Sequence, residues 1–349
     1  MATAICNRLN GLAAISLSAV LSVSPAFGDT AEQFFAGNTV RIVVGAGGGG
    51  GYDLYGRVLG RYLGEHIPGK PTVIVENMPG GGGNVAANYV YNVAPKTGLV
   101  LNMPFMDLPL RQLTRPQGIR YDMQRVHWLG NMAELTTVLA VHKDAPAQSL
   151  EEAKMVEVIM GNSGIGDETY VMPSIANTLL GTKFRFVSGY PGTAAITAAM
   201  DKGEVHGRGG SWISWKVLNP HFIKEKKIKL LAQGGLRKDP DLPDVPLISG
   251  FARNDDDRAI VRLVVALPIG ISRAIMAPPG VPKDRVQALR RAFDATMADP
   301  DLLADANKRS VAISPSTGEV VESRVAEIIS ATPEMIERAK VILGYTKAK

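Results

Sequence analysis

Residues 40–53 read VRIVVGAGGGGGYD, and residues 72–84 read TVIVENMPGGGGN. Each segment is a short β-branched run that ends at a row of glycines and leads into a helix. The first of these helices is predicted over 54–66, where positions 54, 58, 59, 62 and 63 place apolar side chains on one face. This repeated strand, loop and helix order predicts an α/β fold whose parallel strands are covered by helices.

The rest of the chain continues this alternation. Further strands are predicted at 99–103, 138–141, 158–160, 184–187 and 227–231. Helices are predicted at 84–93, at 150–156, before residue 180, before residue 201, at 283–298, and over 317–343 with an interruption at Pro333. The segment 277–282, APPGVP, is predicted to be a rigid connector.

The first 28 residues have the three parts of a secretory signal. Arg8 supplies a positive charge, residues 11–23 are apolar but too few to span a bilayer, and Ala26-Phe27-Gly28 offers a cleavage site. Cys6, the single cysteine, lies within this segment, which leaves the exported chain no disulfide or thiolate metal site. We therefore predict a periplasmic protein.

Charge, histidine spacing and length bound the function. A formal net charge of +5 suits capture of a small anion and is too low for a nucleic-acid partner. The five histidines are not spaced for a metal site, so neither metal nor cofactor is expected. A chain of 349 residues is longer than one hydrophobic core usually accommodates, which predicts two lobes.

The glycine rows predict an anion site. Glycine lets backbone N–H groups converge on a ligand, and each row leads into a helix N-terminus, where the dipole favours negative charge. Asp53 has two possible roles: N-cap of helix 54–66, or a group that shapes the loop or accepts a ligand donor. The ligand-binding residues predicted here are Gly45, Ala46, Gly47, Gly48, Gly49, Tyr52, Asp53, Pro79, Gly80, Gly81 and Gly82.

Two enzyme classes compete with this interpretation. Residues 45–50 fit the G-x-G-x-x-G dinucleotide pattern, with Glu76 at a ribose-binding position, but a glycine run matches it trivially and Asp53 would repel a pyrophosphate. Residues 161–165, GNSGI, resemble a nucleophile elbow but carry Ile165 where the motif needs glycine. Ser163 is therefore predicted to bind an anion, and no catalytic residue is assigned.

Several ordered blocks resemble one family, the substrate-binding proteins of tripartite tricarboxylate transporters, also called Bug-type receptors. They are residues 40–98, GNSGIGDETYV at 161–171, FVSGYPGTAAITAAMDKGEVHGRGGSW at 186–212, and APPGVPKDRVQALRRAFDATMADPDL at 277–302. The resemblance implies a type II periplasmic-binding-protein fold, with two α/β lobes joined by two crossing strands. It further implies that the second lobe contributes Asn162, Ser163, Gly164, Tyr190, Gly192 and Thr193 to the site.

The chain departs from the family pattern at two places. The strand-end aspartate block reads HGRGG at 206–210, which puts the ligand in doubt; Arg208 either pairs with a distal carboxylate or is a surface arginine. Thr97 replaces the usual Asp before Gly98 in a structural turn. Tyr52, Tyr170 and Trp212 are either pocket walls or ordinary packing.

These inferences combine into one prediction of organisation and function. Residues 29–137 and 271–349 form the first lobe, and residues 138–270 form the second. The protein is a monomeric, non-enzymatic periplasmic receptor that captures a small organic carboxylate for an inner-membrane permease with a large and a small subunit. A receptor that signals to a membrane protein, or an exported hydrolase, is the alternative. The sequence does not name the ligand.

Overall fold

A computed structural model describes residues 30–190 and 192–346. The predicted signal peptide, residues 1–28, lies outside the described residues. Two β-sheets, each flanked by helices, make up the fold. This confirms the predicted two-lobed α/β architecture.

The first lobe is built on a six-stranded sheet. Its elements before the crossing are α1 Ala31–Phe35, β1 Thr39–Val44, α2 Gly51–His66, β2 Thr72–Asn77, α3 Asn84–Asn92, β3 Val100–Met103, α4 Leu108–Thr114 and β4 His127–Asn131. The second lobe follows with β5 Thr137–His142, α5 Leu150–Met155, β6 Val158–Asn162, α6 Glu168–Leu180, β7 Phe184–Ser188, α7 Thr193–Asp201, β8 Gly207–Ser211, α8 Pro220–Lys224, β9 Ile228–Gly234, α9 Asp255–Val261 and α10 Leu267–Ile269. The chain then returns with β10 Ala274–Ala277, α11 Lys283–Met297, α12 Pro300–Lys308, β11 Ser316–Thr317, α13 Gly318–Ile329 and α14 Pro333–Ile342.

The two sheets share one strand order when the first is followed from β2 and the second from β7, with β11 added at the far edge of the first. The first runs β11-β4-β10-β3-β1-β2 and the second β7-β6-β8-β5-β9. β10 lies antiparallel between β3 and β4 in the first sheet, and β5 lies antiparallel between β8 and β9 in the second. The chain passes between the sheets twice, through residues 132–136 and again just before β10. These crossings are the expected hinge of a two-lobed receptor.

Close packing of α2 on the first sheet fixes where its N-terminus lies. Gly56, Gly60 and Gly64 recur every fourth residue and face the sheet. A Cβ on Gly56 would lie 2.9 Å from Val44 Cγ2, and one on Gly60 would lie 2.9 Å from Val75 Cγ2. Only glycine permits this approach, which holds the start of α2 at the ends of β1 and β2.

The last helix joins both lobes. α14 packs against α4 of the first lobe and against α6 and α9 of the second. The Ser174 hydroxyl, on α6, donates to the Ile342 carbonyl at the end of α14. One apolar cluster accordingly includes Trp128 from the first lobe, Leu139 from the second, and Ile342. The predicted division at residues 137/138 and 270/271 stays a prediction.

Most predicted elements are present within one to three residues. No element was predicted at β4, β8, β10, β11, α1, α4, α8, α10 or α12. Three of these, β4, β8 and β10, are short and either glycine-containing or apolar on both faces, so they lack the alternation that marks a strand. In the part of the chain that the structure describes, no helix combines the length and apolarity needed to cross a bilayer.

Candidate functional site

The first glycine loop is held by Asp53, which takes one of its two predicted roles and not the other. α2 begins at Gly51 and its N-cap is Gly50, so the expectation that Asp53 is the N-cap is wrong. Asp53 lies in the first helical turn, and its Oδ2 accepts the Gly49 N–H at 2.9 Å and the Arg57 Nε–H at 3.0 Å. The carboxylate therefore takes up a loop amide that we predicted would face the ligand. This is the loop-shaping role that was the other expectation for Asp53.

Asn77, at the end of β2, extends this network to the neighbouring strand. Its Nδ2 donates to Asp53 Oδ1 at 2.9 Å and to the Ala46 carbonyl at 3.0 Å. Burial alone would raise the pKa of Asp53, but the hydrogen bonds from Arg57, Gly49 and Asn77 outweigh it and lower that pKa. Asp53 is 5% exposed, so the network fixes the loop from beneath.

The two glycine loops lie side by side, as the sequence analysis predicted. A Cβ on Gly45 would lie 2.9 Å from the Gly83 Cα, which means that the two backbones are in contact. Gly47 and Gly49 have open space around them. Gly45 is therefore required for packing, whereas Gly47 and Gly49 face open space.

Side chains of the protein cover much of the second loop. A Cβ on Gly82 would lie 2.5 Å from Arg111 Nη1, and one on Gly83 would lie 3.2 Å from the Phe105 ring. Arg111 Nη1 donates to the carbonyls of Gly81 and Gly82, at 3.0 and 2.8 Å. The loop therefore presents its carbonyls to a guanidinium, where we expected its amides to meet the ligand directly.

Arg111 belongs to a charged face of α4 that the sequence analysis missed. Asp107, Arg111 and Arg115 are spaced four residues apart, the helical spacing that could have revealed them. Arg111 Nη2 donates to the Asp107 carboxylate. Burial alone would lower the pKa of Arg111, but the Asp107 carboxylate outweighs it and raises that pKa. Arg111 is therefore a permanent cation on the first lobe.

Two acidic residues, Asp167 and Glu168, lie at the start of α6. Asp167 is the N-cap of α6 and accepts the N–H groups of Thr169 and Tyr170 at 2.9 and 3.1 Å. The Ser163 hydroxyl also donates to Asp167, while the Ser163 N–H donates to Thr169 Oγ1 at 3.1 Å. Burial raises the pKa of Asp167 despite these hydrogen bonds. The helix N-terminus is thus already capped by a carboxyl group of the chain.

Arg208 is buried within β8. It is 0% exposed, so the expectation of a surface arginine is wrong. Its Nε donates to Thr197 Oγ1 at 3.2 Å and its Nη2 to Ser214 Oγ at 3.3 Å, while the guanidinium lies 3.9 Å from the Trp215 ring centroid. Burial lowers the pKa of Arg208 to about 10, an effect that Glu168 opposes. Pairing with a distal carboxylate stays a prediction.

The C-terminal segment after α14 reaches the gap between the lobes. The Tyr345 hydroxyl lies against Gly166, where a Cβ would collide with it. The guanidinium of Arg115 lies 5.5 Å from the centroid of the Tyr345 ring. Tyr345 thus touches the loop before α6 on one side and α4 on the other.

A cleft of about 650 Å³ lies between the lobes and brings many of these groups together. Its lining includes these predicted site residues: Tyr52, Gly81, Gly82, Ser163, Gly164, Gly192 and Thr193. The residues that sequence reasoning missed include Phe105, Asp107, Arg111, Arg115, Glu168, Val264, Val265, Ile269 and Tyr345. The second glycine loop therefore lies at the interlobe gap, as expected.

Other predicted residues are not part of the cleft lining. The predicted ligand-binding residues that are not among the lining are Gly45, Ala46, Gly47, Gly48, Gly49, Asp53, Pro79, Gly80, Asn162, Tyr190 and Arg208. Tyr170 and Trp212 do not line the cleft either. Asn162 is 0% exposed, and its carbonyl oxygen accepts the N–H groups of Gly189 and Tyr190, which ties the ends of β6 and β7 together. Ligand binding by these residues stays a prediction.

Two α/β lobes with one strand order, joined by two crossings around a cleft, define the class of two-lobed solute-binding proteins. The chain belongs to the tripartite tricarboxylate transporter receptor family, whose model matches residues 64–316. It is a receptor of that family, whose members are periplasmic binding proteins.

Individual relatives agree with this assignment. A UPF0065 protein of Cupriavidus necator is 25% identical over 350 residues, which cover 97% of each chain. An R. palustris structure with adipate has a TM-score of 0.66 at 21% identity and covers 88% of this chain and 97% of that one. The structure of MatC from Rhodopseudomonas palustris with bound malate has a TM-score of 0.62 at 20% identity, with 88% and 99% covered. At these identities, the two solved structures show the shared fold.

Proposed function

We propose that this receptor is exported to the periplasm, captures a small organic carboxylate in the interlobe cleft, and delivers it to an inner-membrane permease. The observation that carries the proposal is the pair of arginines, Arg111 within α4 and Arg115 at its C-cap, that line a cleft of about 650 Å³. This volume is within the range of about 300–1,000 Å³ that small-molecule sites occupy. The malate and adipate of the two structural relatives support a carboxylate ligand.

Binding would be coupled to closure of the lobes. A ligand that contacts α4 of the first lobe and the α6 loop of the second binds the closed state better than the open one. The permease, with one large and one small subunit, would then recognise the closed receptor as a monomer. The proposed lobes are residues 29–137 with 271–349, and residues 138–270.

A receptor without catalysis is the preferred function for the site. The Ser163 hydroxyl donates to Asp167, which is engaged as the cap of α6. None of the described residues that line the cleft is a histidine. These features support anion binding over the exported-hydrolase alternative.

Thermal denaturation with a ligand panel tests the proposal. The chain from residue 29 is unfolded, freed of bound ligand and refolded, then heated with mono-, di- and tricarboxylates and with their amides. A ligand at one hundred times its Kd adds about 2.7 kcal/mol to the free energy of unfolding. We expect this shift for at least one acid and not for its amide. If no acid stabilises the protein while an ester or amide is hydrolysed, the receptor function is wrong.

Export is tested separately on protein recovered from the periplasm. We expect its N-terminal residue to lie at or next to Asp29, because cleavage follows the small residues at 26–28. Recovery of the chain only from the cytoplasm, beginning at residue 1, would contradict a signal peptide. This outcome leaves the binding assay unaffected.

A further inference from the structure

We propose that the cleft selects an acid with a single carboxylate and an apolar body of aromatic or medium-chain size. This inference rests on the proposed function and narrows its ligand class. It depends on three features of the cleft: cationic groups on the first lobe, acidic groups opposite them, and apolar walls between.

The cationic end of the cleft is the charged face of α4. Arg111 is held by Asp107 and by the Gly81 and Gly82 carbonyls, and its buried Nε has no hydrogen-bond partner within the described residues. Arg115 makes no ion pair with any residue that the structure describes, and its guanidinium lies near the Tyr345 ring. Because Asp107 balances Arg111, the surplus positive charge on this wall is that of Arg115. One ligand carboxylate matches this surplus.

The facing wall carries the opposite charge. Asp167 and Glu168, at the start of α6, both line the cleft. A second carboxylate on the ligand, on closure of the lobes, would approach these two groups and be repelled. Arg208 is 0% exposed and its donors are engaged by Thr197, Ser214 and the Gly209 carbonyl, so it offers the ligand no hydrogen bond. Its charge interacts with Glu168, which leaves Asp167 as the acidic group without an opposing arginine among these residues. The second lobe thus disfavours a diacid.

Apolar side chains from both lobes also line the cleft. On the first lobe the rings of Tyr52 and Phe105 stack with their centroids 4.4 Å apart. On the other side, Val264, Val265 and Ile269 line the cleft, each almost fully buried. Both apolar surfaces line the same cleft. Tyr52 and Phe105 are only partly buried, so a ligand with an apolar body would remove their rings from water while contacting the valine and isoleucine side chains. Burial of apolar surface is the main favourable contribution to binding in such sites.

The size of the cleft agrees with this chemistry. A four-carbon diacid would leave most of the 650 Å³ to water in contact with the apolar walls. A phenyl ring or a six-carbon chain uses that volume and adds apolar contact with each carbon buried. The cleft therefore fits a larger acid with one charge better than a small acid with two.

Isothermal titration calorimetry on the ligand-free wild-type protein tests the inference with matched pairs. Hexanoate and adipate differ only by the second carboxylate, and 3-phenylpropionate and its amide differ only by the charge. We expect hexanoate and 3-phenylpropionate to bind at least about tenfold more tightly than adipate, malate and the amide. Arg111→Met and Arg115→Met should each weaken hexanoate binding by about tenfold or more. Arg61→Met is the matched control, because Arg61 is an exposed arginine of α2 that pairs with Asp305 of α12.

The outcomes separate this inference from the function on which it rests. Adipate or malate binding as tightly as hexanoate, or more tightly, overturns the single-carboxylate inference and leaves a carboxylate receptor in place. If none of the acids binds, the proposed function fails as well. These comparisons use the wild-type chain, so they do not depend on the folding of any variant.

Discussion

The carboxylate of Asp53 accepts the backbone N–H of Gly49 at 2.9 Å, four residues back along the chain. This bond turns the glycine-rich loop onto the first turn of α2, and Asn77 anchors the same carboxylate to β2. A row of glycines has high conformational freedom, but this loop is fixed because the buried Asp53 carboxylate accepts hydrogen bonds from the loop, from α2 and from β2.

Asp53→Asn is expected to destabilise the protein at neutral pH. The amide accepts fewer hydrogen bonds and loses the ion pair with Arg57, so we expect a loss of about 1–2 kcal/mol in the free energy of unfolding. Urea denaturation at pH 7 measures the difference.

The pH dependence of this effect has a defined sign. The pKa of Asp53 is lowered by folding, so its contribution is present above the pKa of an unfolded aspartate and is lost as the pH falls through the folded pKa. The difference in the free energy of unfolding between wild type and Asp53→Asn should therefore become smaller below about pH 4. A gap that widens in acid would contradict this role for Asp53.

Gly45→Ala should destabilise the pairing of the two glycine loops. The new Cβ would lie 2.9 Å from the Gly83 Cα, so one backbone must move. We expect a loss of about 1–3 kcal/mol, measured by chemical denaturation. Gly47→Ala is the control, because a Cβ there has open space. Equal losses in both variants would mean that the contact between the loops is unimportant.

Gly82→Ala should weaken carboxylate binding by displacing a cation. Its Cβ would lie 2.5 Å from Arg111 Nη1 and would push the guanidinium away from the loop carbonyls. Gly203→Ala is the matched control, since Gly203 also has a positive φ but open space around it. We expect about tenfold weaker binding for Gly82→Ala alone, by calorimetry. Similar affinities for the two variants would remove Arg111 from the site.

Arg208→Lys is expected to destabilise the second lobe. A lysine ammonium cannot donate to Thr197 and Ser214 while also stacking on Trp215 as the planar guanidinium does. A loss of about 2–4 kcal/mol in the free energy of unfolding is expected. Arg185→Lys, on an exposed strand position paired with Glu157, should change it by less than about 0.5 kcal/mol. Near-equal effects would show that Arg208 is not structurally required.

The sequence predicted the fold well because its signals are local. The β-branched runs before Gly45 and Met78 and the helical spacing from Leu54 to Leu63 each lie within one element, and both loops are adjacent because β1 and β2 pair in parallel. The helix start was misplaced by three residues because glycine, a poor helix former, occupies the N-cap and first position of α2.

The composition of the cleft was predicted less well, because it depends on distant segments. Arg111 approaches Gly82 from a separate helix, and Tyr345 reaches Gly166 from the far end of the chain. No local pattern encodes these contacts. Gly81 and Gly82 of the second row line the cleft, whereas residues 45–49 do not. Asp53 accepts one N–H of the first loop, and Arg111 and Phe105 cover the second loop, so the loops are less open than predicted.

The position of Tyr345 between the lobes makes the end of the chain a natural place for an optical reporter. Thr346, next to it, is exposed, and the chain has no cysteine after Cys6. In protein that begins at residue 29, Thr346→Cys would therefore accept one environment-sensitive dye without any other substitution. Its emission would change as the lobes approach each other, which would convert this receptor into a fluorescent biosensor for its own ligand.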